Sequence, residues 1–434
     1  MDAVLLLVGG VIGSGIFLTA GQVATSLRRP DLFILVWVAG GAISLLACFA
    51  VAELGGMYPQ AGGQYVFLRE AYGELPAFLY GWMIFAVVQT GTIAALAVGF
   101  AQYMAAAFPV LLPFSKPVAL AAIALLTVTN IVGLRRGALL VNVATWMKFA
   151  AMAALAILGL TLGKGDWSHF RAAAGEAPVA PATLMTAFGV ALISVFFAYD
   201  GWIYITWVAG EVKDASRNVP RALLIGVSAV VVIYVTMNVV YLFALPIESI
   251  IRTDAVVRDA AAAMFSSRFA VWLSLMVALS AFGAMSSAIL CTARIFYAMA
   301  KDGVFFASMA RVHPRFRTPA LSLVAQGLWS AALAWIGLYD QLLTYAIFMM
   351  ILTYIATVGA LFVLRRKAPE APRPYRCTGY PLLPAIYLVI ASMWTFNTLV
   401  ERPRESLSGL GIVLLGIPGY LYWTRRRRRS PQTG

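Results

Sequence analysis

Charge is what this chain has least of. Only 12% of its 434 residues are Asp, Glu, Lys or Arg, while 62% are hydrophobic and the mean hydropathy is +0.86. A soluble domain cannot bury that much apolar side chain, so the composition excludes one and implies a polytopic membrane protein. Cysteine and histidine are also scarce. Cys48, Cys291 and Cys377 are scattered without metal-ligand spacing, which excludes a disulfide framework. His169 and His313 both fall in expected loops, which leaves no basis for a zinc or histidine-based catalytic site. No nucleophile–base pair, metal cluster or phosphate loop is evident, so an enzyme is not expected, and no cofactor is implied. A channel would need a continuous polar stripe, and none is present.

The formal net charge of +14 suggests nucleic acid, but the placement of the charges rejects that partner. With the N-terminus inside, the inner segments hold Arg69; Arg135 and Arg136; Lys213, Arg217 and Arg221; the run from Arg294 to Arg317; the run from Arg365 to Arg376; and Arg425 to Arg429. The outer segments, with Arg28, Lys116, Lys164 and Arg268 among them, hold about half as many. This bias places both termini in the cytoplasm of a cell whose inner membrane the chain crosses. The arginine tail is expected to anchor to anionic lipid. No basic n-region or cleavage site follows Met1, so the first apolar segment is expected to be retained.

At about 20 residues per helix the apolar runs make about twelve spans. They fall near 3–27, 32–57, 76–108, 118–134, 139–162, 183–209, 222–245, 269–299, 320–338, 342–364, 383–399 and 407–423. A Gly-rich inner loop with a short amphipathic segment follows span 2, an Arg135-Arg136-Gly137 turn joins spans 4 and 5, and the outer segment before Arg268 has room for an interfacial helix.

Two short interruptions organise the rest. Gly9-Gly10-Val11-Ile12-Gly13-Ser14-Gly15 breaks span 1, and Phe197-Ala198-Tyr199-Asp200-Gly201-Trp202 breaks span 6. Unwound backbone at membrane depth is tolerated only where it lines a cavity or is buried in protein. Paired breaks in corresponding spans point to a carrier's binding site. Five spans is an odd number, so a second set of five that also begins with a broken helix enters from the opposite side. The expected architecture is therefore all-α with twelve transmembrane helices. A 5+5 inverted repeat with discontinuous helices 1 and 6 occupies 1–163 and 183–366, separated by an outer loop at 164–182. An inner linker at 367–382 leads to two extra helices and the basic tail at 383–434.

A half-helix beginning at Gly13-Ser14-Gly15 aims free N–H groups and a positive dipole end at an anion, most naturally a substrate carboxylate. Gly9 and Gly13 also form a G-x-x-x-G that suits close helix packing. Span 6 supplies the opposite pole, carbonyls able to receive an ammonium. The candidate substrate-binding set is Ile12, Gly13, Ser14, Gly15, Phe197, Ala198, Tyr199, Asp200 and Gly201, with Phe197 and Trp202 as gate. Lys148 and Asp200 are the charges placed deep in the bilayer. Lys148 lies roughly 18 Å from Arg136, and Asp200 roughly 16 Å from Glu211, by helical rise. They form either one structural ion pair or two functional charges. In the second case Lys148 substitutes for a coupling cation, and Asp200 biases the site towards amines or carries a proton.

These residues resemble the amino acid–polyamine–organocation transporters, and within them the bacterial relatives of the L-type amino acid exchangers. The matching stretches are Gly10 to Phe17, Ala52-Glu53-Leu54-Gly55 with Gly62-Gly63-Gln64-Tyr65, Phe197 to Trp202, Gly210 to Lys213 with Asn218 to Ala222, and Ala293-Arg294 with Tyr297 to Gly303. The resemblance implies the inverted repeat and sodium-independent transport of amino acids, neutral ones first, by exchange. It also implies a carboxylate held at Gly13 to Gly15, an amino group held by carbonyls of Phe197 to Tyr199, and Lys148 at the position of the sodium ion in coupled relatives. Ile203 and Thr206 depart from the polar residue and Asn common there. The animal exchangers attach to a glycoprotein through a cysteine after span 3. The segment 109–117 has none, so no disulfide-linked heavy chain is implied. The alternative reading is a proton-coupled importer of amines, polyamines or cationic amino acids.

Overall fold

The computed structural model describes residues 3–13, 15–132, 134–171, 181–253, 255–336, 339–401 and 403–429. Every regular element among them is helical. The first apolar segment is two helices, α1 (Ala3–Val11) and α2 (Gly15–Leu27), followed by α3 (Pro30–Met57), a short α4 (Gln64–Tyr72), α5 (Glu74–Met83) and α6 (Gln89–Ala107). Next come α7 (Ser115–Val132), α8 (Leu134–Leu162), α9 (Pro181–Tyr199), the four-residue α10 (Tyr204–Trp207) and α11 (Ala215–Ala244). Two short helices, α12 (Ile247–Arg252) and α13 (Val256–Met264), precede α14 (Ser267–Lys301), α15 (Ala320–Ile336) and α16 (Tyr339–Lys367). The chain finishes with α17 (Leu382–Glu401), α18 (Pro403–Leu414) and α19 (Gly416–Arg429). Among the described residues 10 stretches are long and apolar enough to cross a membrane, and Leu184–Tyr199 and Ala320–Ile336 are shorter apolar helices. The protein is a multi-pass helical membrane protein.

Several local expectations change. Arg135, Arg136 and Gly137 do not make a turn. They lie within α8, and the connection from α7 falls at position 133, outside the described residues. A glycine costs a helix only about 1 kcal/mol, too little to end one that packing extends. The outer segment holds two short helices instead of one. The third span continues from α5 to α6 through one π-helical stretch at Ile84–Val88. The Arg425 to Arg429 run is helical, and Arg427 pairs with Glu74 at 2.8 Å and donates to the Asp302 carbonyl at 2.9 Å, so this arginine is docked on protein.

One face of the bundle is stitched by ions. Glu53, fully buried at the end of α3, accepts from Arg365 at 2.6 Å, Arg373 at 3.1 Å and the Cys377 amide at 2.6 Å. It thereby joins α3, α16 and the linker before α17. Arg294 of α14 reaches Glu211 at 2.9 Å, and Asp302 holds Arg69 and Tyr65 of α4. The Cys377 thiol is pushed up to about 12, first by burial and then by the Glu53 charge, which makes it a poor nucleophile. The opposite face carries α12 and α13, packed against α2.

Breaking a buried ion pair from one side leaves an uncompensated charge and costs about 3–5 kcal/mol. Glu53→Ala is therefore expected to lower the thermal midpoint of the purified protein markedly. Arg365→Gln should cost less, because its side chain is 23% exposed against 0% for Glu53. Equal midpoints for wild type and Glu53→Ala would contradict this account.

Candidate functional site

The two interruptions meet in the interior. After α1 ends at Val11, Ile12 and Gly13 leave helical geometry, and α2 begins at Gly15. After α9 ends at Tyr199, Asp200 to Ile203 form turns before α10. A Cβ on Gly15 would stand 2.7 Å from Ala198 Cα, and one on Gly201 would stand 2.8 Å from the Gly10 carbonyl. Gly201 also has φ 106°, a conformation that side chains disfavour. Both glycines are thus required by close backbone approach.

A broken helix in hydrocarbon must find partners for its freed carbonyls. Those of α1 find theirs on three other helices. Lys148 of α8 donates to Gly9 O at 3.1 Å and to Ile12 O. Ser280 of α14 donates to Ile12 O at 3.0 Å or Gly13 O at 3.2 Å. The Tyr234 hydroxyl of α11 lies 3.0 Å from Val11 O and 2.9 Å from Ala198 O, so one proton serves the carbonyls of both breaks. Lys148, Ser280 and Tyr234 are all buried.

The amide side is different. The Gly13 N–H is turned back onto Val11 O at 2.8 Å, so of the expected carboxylate donors Gly13 is engaged within its own turn. Ser14 lies outside the described residues. Gly15, Ile16 and Phe17 open α2, and the first N–H groups of a helix have no partner within it. With the positive end of the helix dipole there, this is an anion-attracting terminus. Facing it, the end of α9 offers carbonyls at the negative end of its own dipole, with Ala198 already shared with Tyr234. The Phe197 side chain is half-buried, and Tyr199 points away, donating to Trp37 O at 3.1 Å.

A cavity of about 670 Å³ opens on the α12/α13 face, lined by Gln22, Thr25, Gln102, Tyr103 and Arg258, with Leu18 among its walls. Leu18 is three residues past Gly15, about 4.5 Å along the axis. On the ionic side the breaks are covered by buried polar pairs: Tyr204 to Gln89 at 3.1 Å, Tyr80 to Gln64 at 2.8 Å and Gln64 to Thr357 at 3.0 Å.

Of the two alternatives left open for the deep charges, the ion pair is not formed. The lysine serves the α1 carbonyls, while Asp200 Oδ1 accepts from Tyr354 of α16 at 3.1 Å. Counting residues at helical rise from Glu211 does not place Asp200, because positions 200–203 are not helical. Trp202 stacks on Tyr354, with centroids 5.2 Å apart at 18°, on the flank of α9 that faces α3, α16 and α17. Tyr234 and Ser280 escaped sequence reasoning. The available signal was weak, a polar side chain near mid-span in each of spans 7 and 8.

A helical membrane protein with facing helix ends at its centre has the form of a carrier, and comparison with known proteins gives the family. The pattern of the amino acid permease family matches residues 1–416. The chain belongs to that family. It is therefore a transporter of the amino acid–polyamine–organocation superfamily, not an enzyme. It is 31% identical to the serine/threonine exchanger SteT of Bacillus subtilis, over 99% of this chain and 96% of that protein. It is 30% identical to the large neutral amino acids transporter small subunit 2 of Oryctolagus cuniculus, over 97% of this chain and 79% of that one. It is 28% identical to the b(0,+)-type amino acid transporter 1 of Mus musculus, over 99% and 89%.

Because the Gly15 position touches backbone, Gly15→Ala is expected to abolish uptake and lower the thermal midpoint. Gly91→Ala, where nothing lies within 4 Å, should be neutral or stabilise by up to about 1 kcal/mol. Thermal unfolding and solute uptake on the two variants check this, and a fully active Gly15→Ala would refute the close contact.

Proposed function

We propose that this permease exchanges neutral L-amino acids across the bacterial cytoplasmic membrane without sodium, by alternating access. In this reading the solute's carboxylate lies at the N-terminus of α2, at Gly15 and its neighbour Ser14. Its amino group lies at the carbonyls that end α9, from Phe197 to Tyr199, with Phe197 closing over it. The two five-span sets, 1–163 and 183–366, act as inverted repeats, and both termini are cytoplasmic. The names of the relatives support exchange and amino acid substrates.

The observation that carries sodium independence is Lys148. Its ammonium donates to Gly9 O and Ile12 O, and Ser280 lies on Ile12 O and Gly13 O. Carbonyls and a hydroxyl gathered round one point are what a hard cation asks for. Here the Lys148 side-chain nitrogen stands at that point instead. Import of an amine by a proton-coupled route would need Asp200 at the solute, and its carboxylate is instead turned to Tyr354.

Purified protein in liposomes should take up labelled serine, threonine or alanine at equal rates with and without sodium, faster when the lumen holds unlabelled amino acid, and should leave putrescine outside. Strict sodium dependence would overturn the role given to Lys148. Lys148→Ala strands the α1 carbonyls, a loss of about 1–3 kcal/mol, and exchange should fall about tenfold or more.

A further inference from the structure

Asp200 has no part in the carrier reading beyond its backbone. Its carboxylate borders a small cavity of about 20 Å³ enclosed by α3, α9, α16 and α17. One water needs about 10–15 Å³, so the space seats a water and no organic solute. The polar side chains that line the cavity with Asp200 are all neutral. Ser44 of α3, Tyr354 of α16 and Tyr387 of α17 share the cavity wall with it, together with Tyr199 of its own helix. Tyr80 of α5 and Tyr204 of α10 are near enough to feel its charge. Among the described residues no Lys, Arg or His is within ion-pair distance of Asp200. Asp200 Oδ1 accepts from Tyr354 Oη at 3.1 Å, and Tyr354 stacks on Trp202 in the same turn.

An ionised carboxylate inside a membrane, without a cation, is expensive, and acids so placed form proton relays. We propose that Asp200, Tyr354 and a water in this cavity form a proton-binding site separate from the solute site. Its occupancy sets how tightly the α9–α10 break is held to α16. A hydronium that reaches the cavity gives its proton to the Asp200 carboxylate and leaves as water. The charge-assisted bond from Tyr354 then becomes a neutral one, about half as strong. The strap between the break and α16 slackens, and exchange responds to pH although no proton is carried by the solute. Helix α17, outside the repeat, has a purpose here, since Tyr387, Ile390, Ala391 and Trp394 close the cavity on its outer side.

The proposal goes beyond the transport reading, and its first test does not use transport. Tryptophan fluorescence of the purified protein, titrated from about pH 4 to 9, should show one single-proton step spread over about two pH units. That step should be lost in Asp200→Asn and displaced in Tyr354→Phe. In liposomes the pH profile of exchange should flatten in Asp200→Asn and shift in Tyr354→Phe. A merely structural role would lower the rate equally at every pH and leave the profile in place. A wild-type step that persists unchanged in Asp200→Asn overturns the proposal, as does a flat wild-type titration. If Asp200→Asn does not fold, Tyr354→Phe decides, with a displaced midpoint supporting the site and an unmoved one refuting it. Absence of amino acid uptake with the fluorescence step intact would sink the transport reading alone.

Discussion

A carbonyl released from a helix inside a membrane has no water to turn to, and the centre of this molecule is arranged around that shortage. The end of α1 releases carbonyls at Gly9, Val11, Ile12 and Gly13, and Lys148, Ser280 and Tyr234 supply donors to all four. These donors come from α8, α14 and α11, so the break in one helix fixes the mutual position of three more. What stays available after this satisfaction is the N–H end of α2 and part of the carbonyl end of α9. The two poles left over are of opposite sign and belong to different helices.

The same logic, with charges in place of amides, runs along the ionic face. Glu53 is held by two arginines and an amide, from α16 and the linker that follows it. Arg294 fixes the loop after α10 through Glu211, and Asp302 gathers α4, while Arg427 of α19 lies across Gly303 to reach Glu74. These links tie together helices on the side of the bundle opposite the large cavity.

Much of the centre could be read from the residue string. Gly-Ser-Gly in an apolar run and Asp-Gly between aromatics announce weak points, because glycine and short polar residues gain little from helical geometry. A lysine twelve residues from the nearest arginine along one helix announces its depth, since α8 is continuous. The same counting gives no depth for Asp200, because its path to Glu211 is not helical. Arg135-Arg136-Gly137 looked like a turn and is helix, since one glycine is too small an obstacle. Tyr234 and Ser280 could not be picked out, because a hydroxyl in a span is common and only its neighbours give it a task.

The sequence by itself determined that the chain lives in a membrane and where its helices break, because each follows from the cost of placing one residue type in hydrocarbon. Only the tertiary structure decided which partner each freed group takes. Lys148 and Asp200 are of opposite sign, and nothing in their order along the chain forbids an ion pair. They face different cavities because α8 packs against α1, while the flank of α9 bearing Asp200 meets α16 and α17. Partner choice depends on the rotation of each helix about its axis, and that is settled by packing of whole surfaces, not by any residue alone.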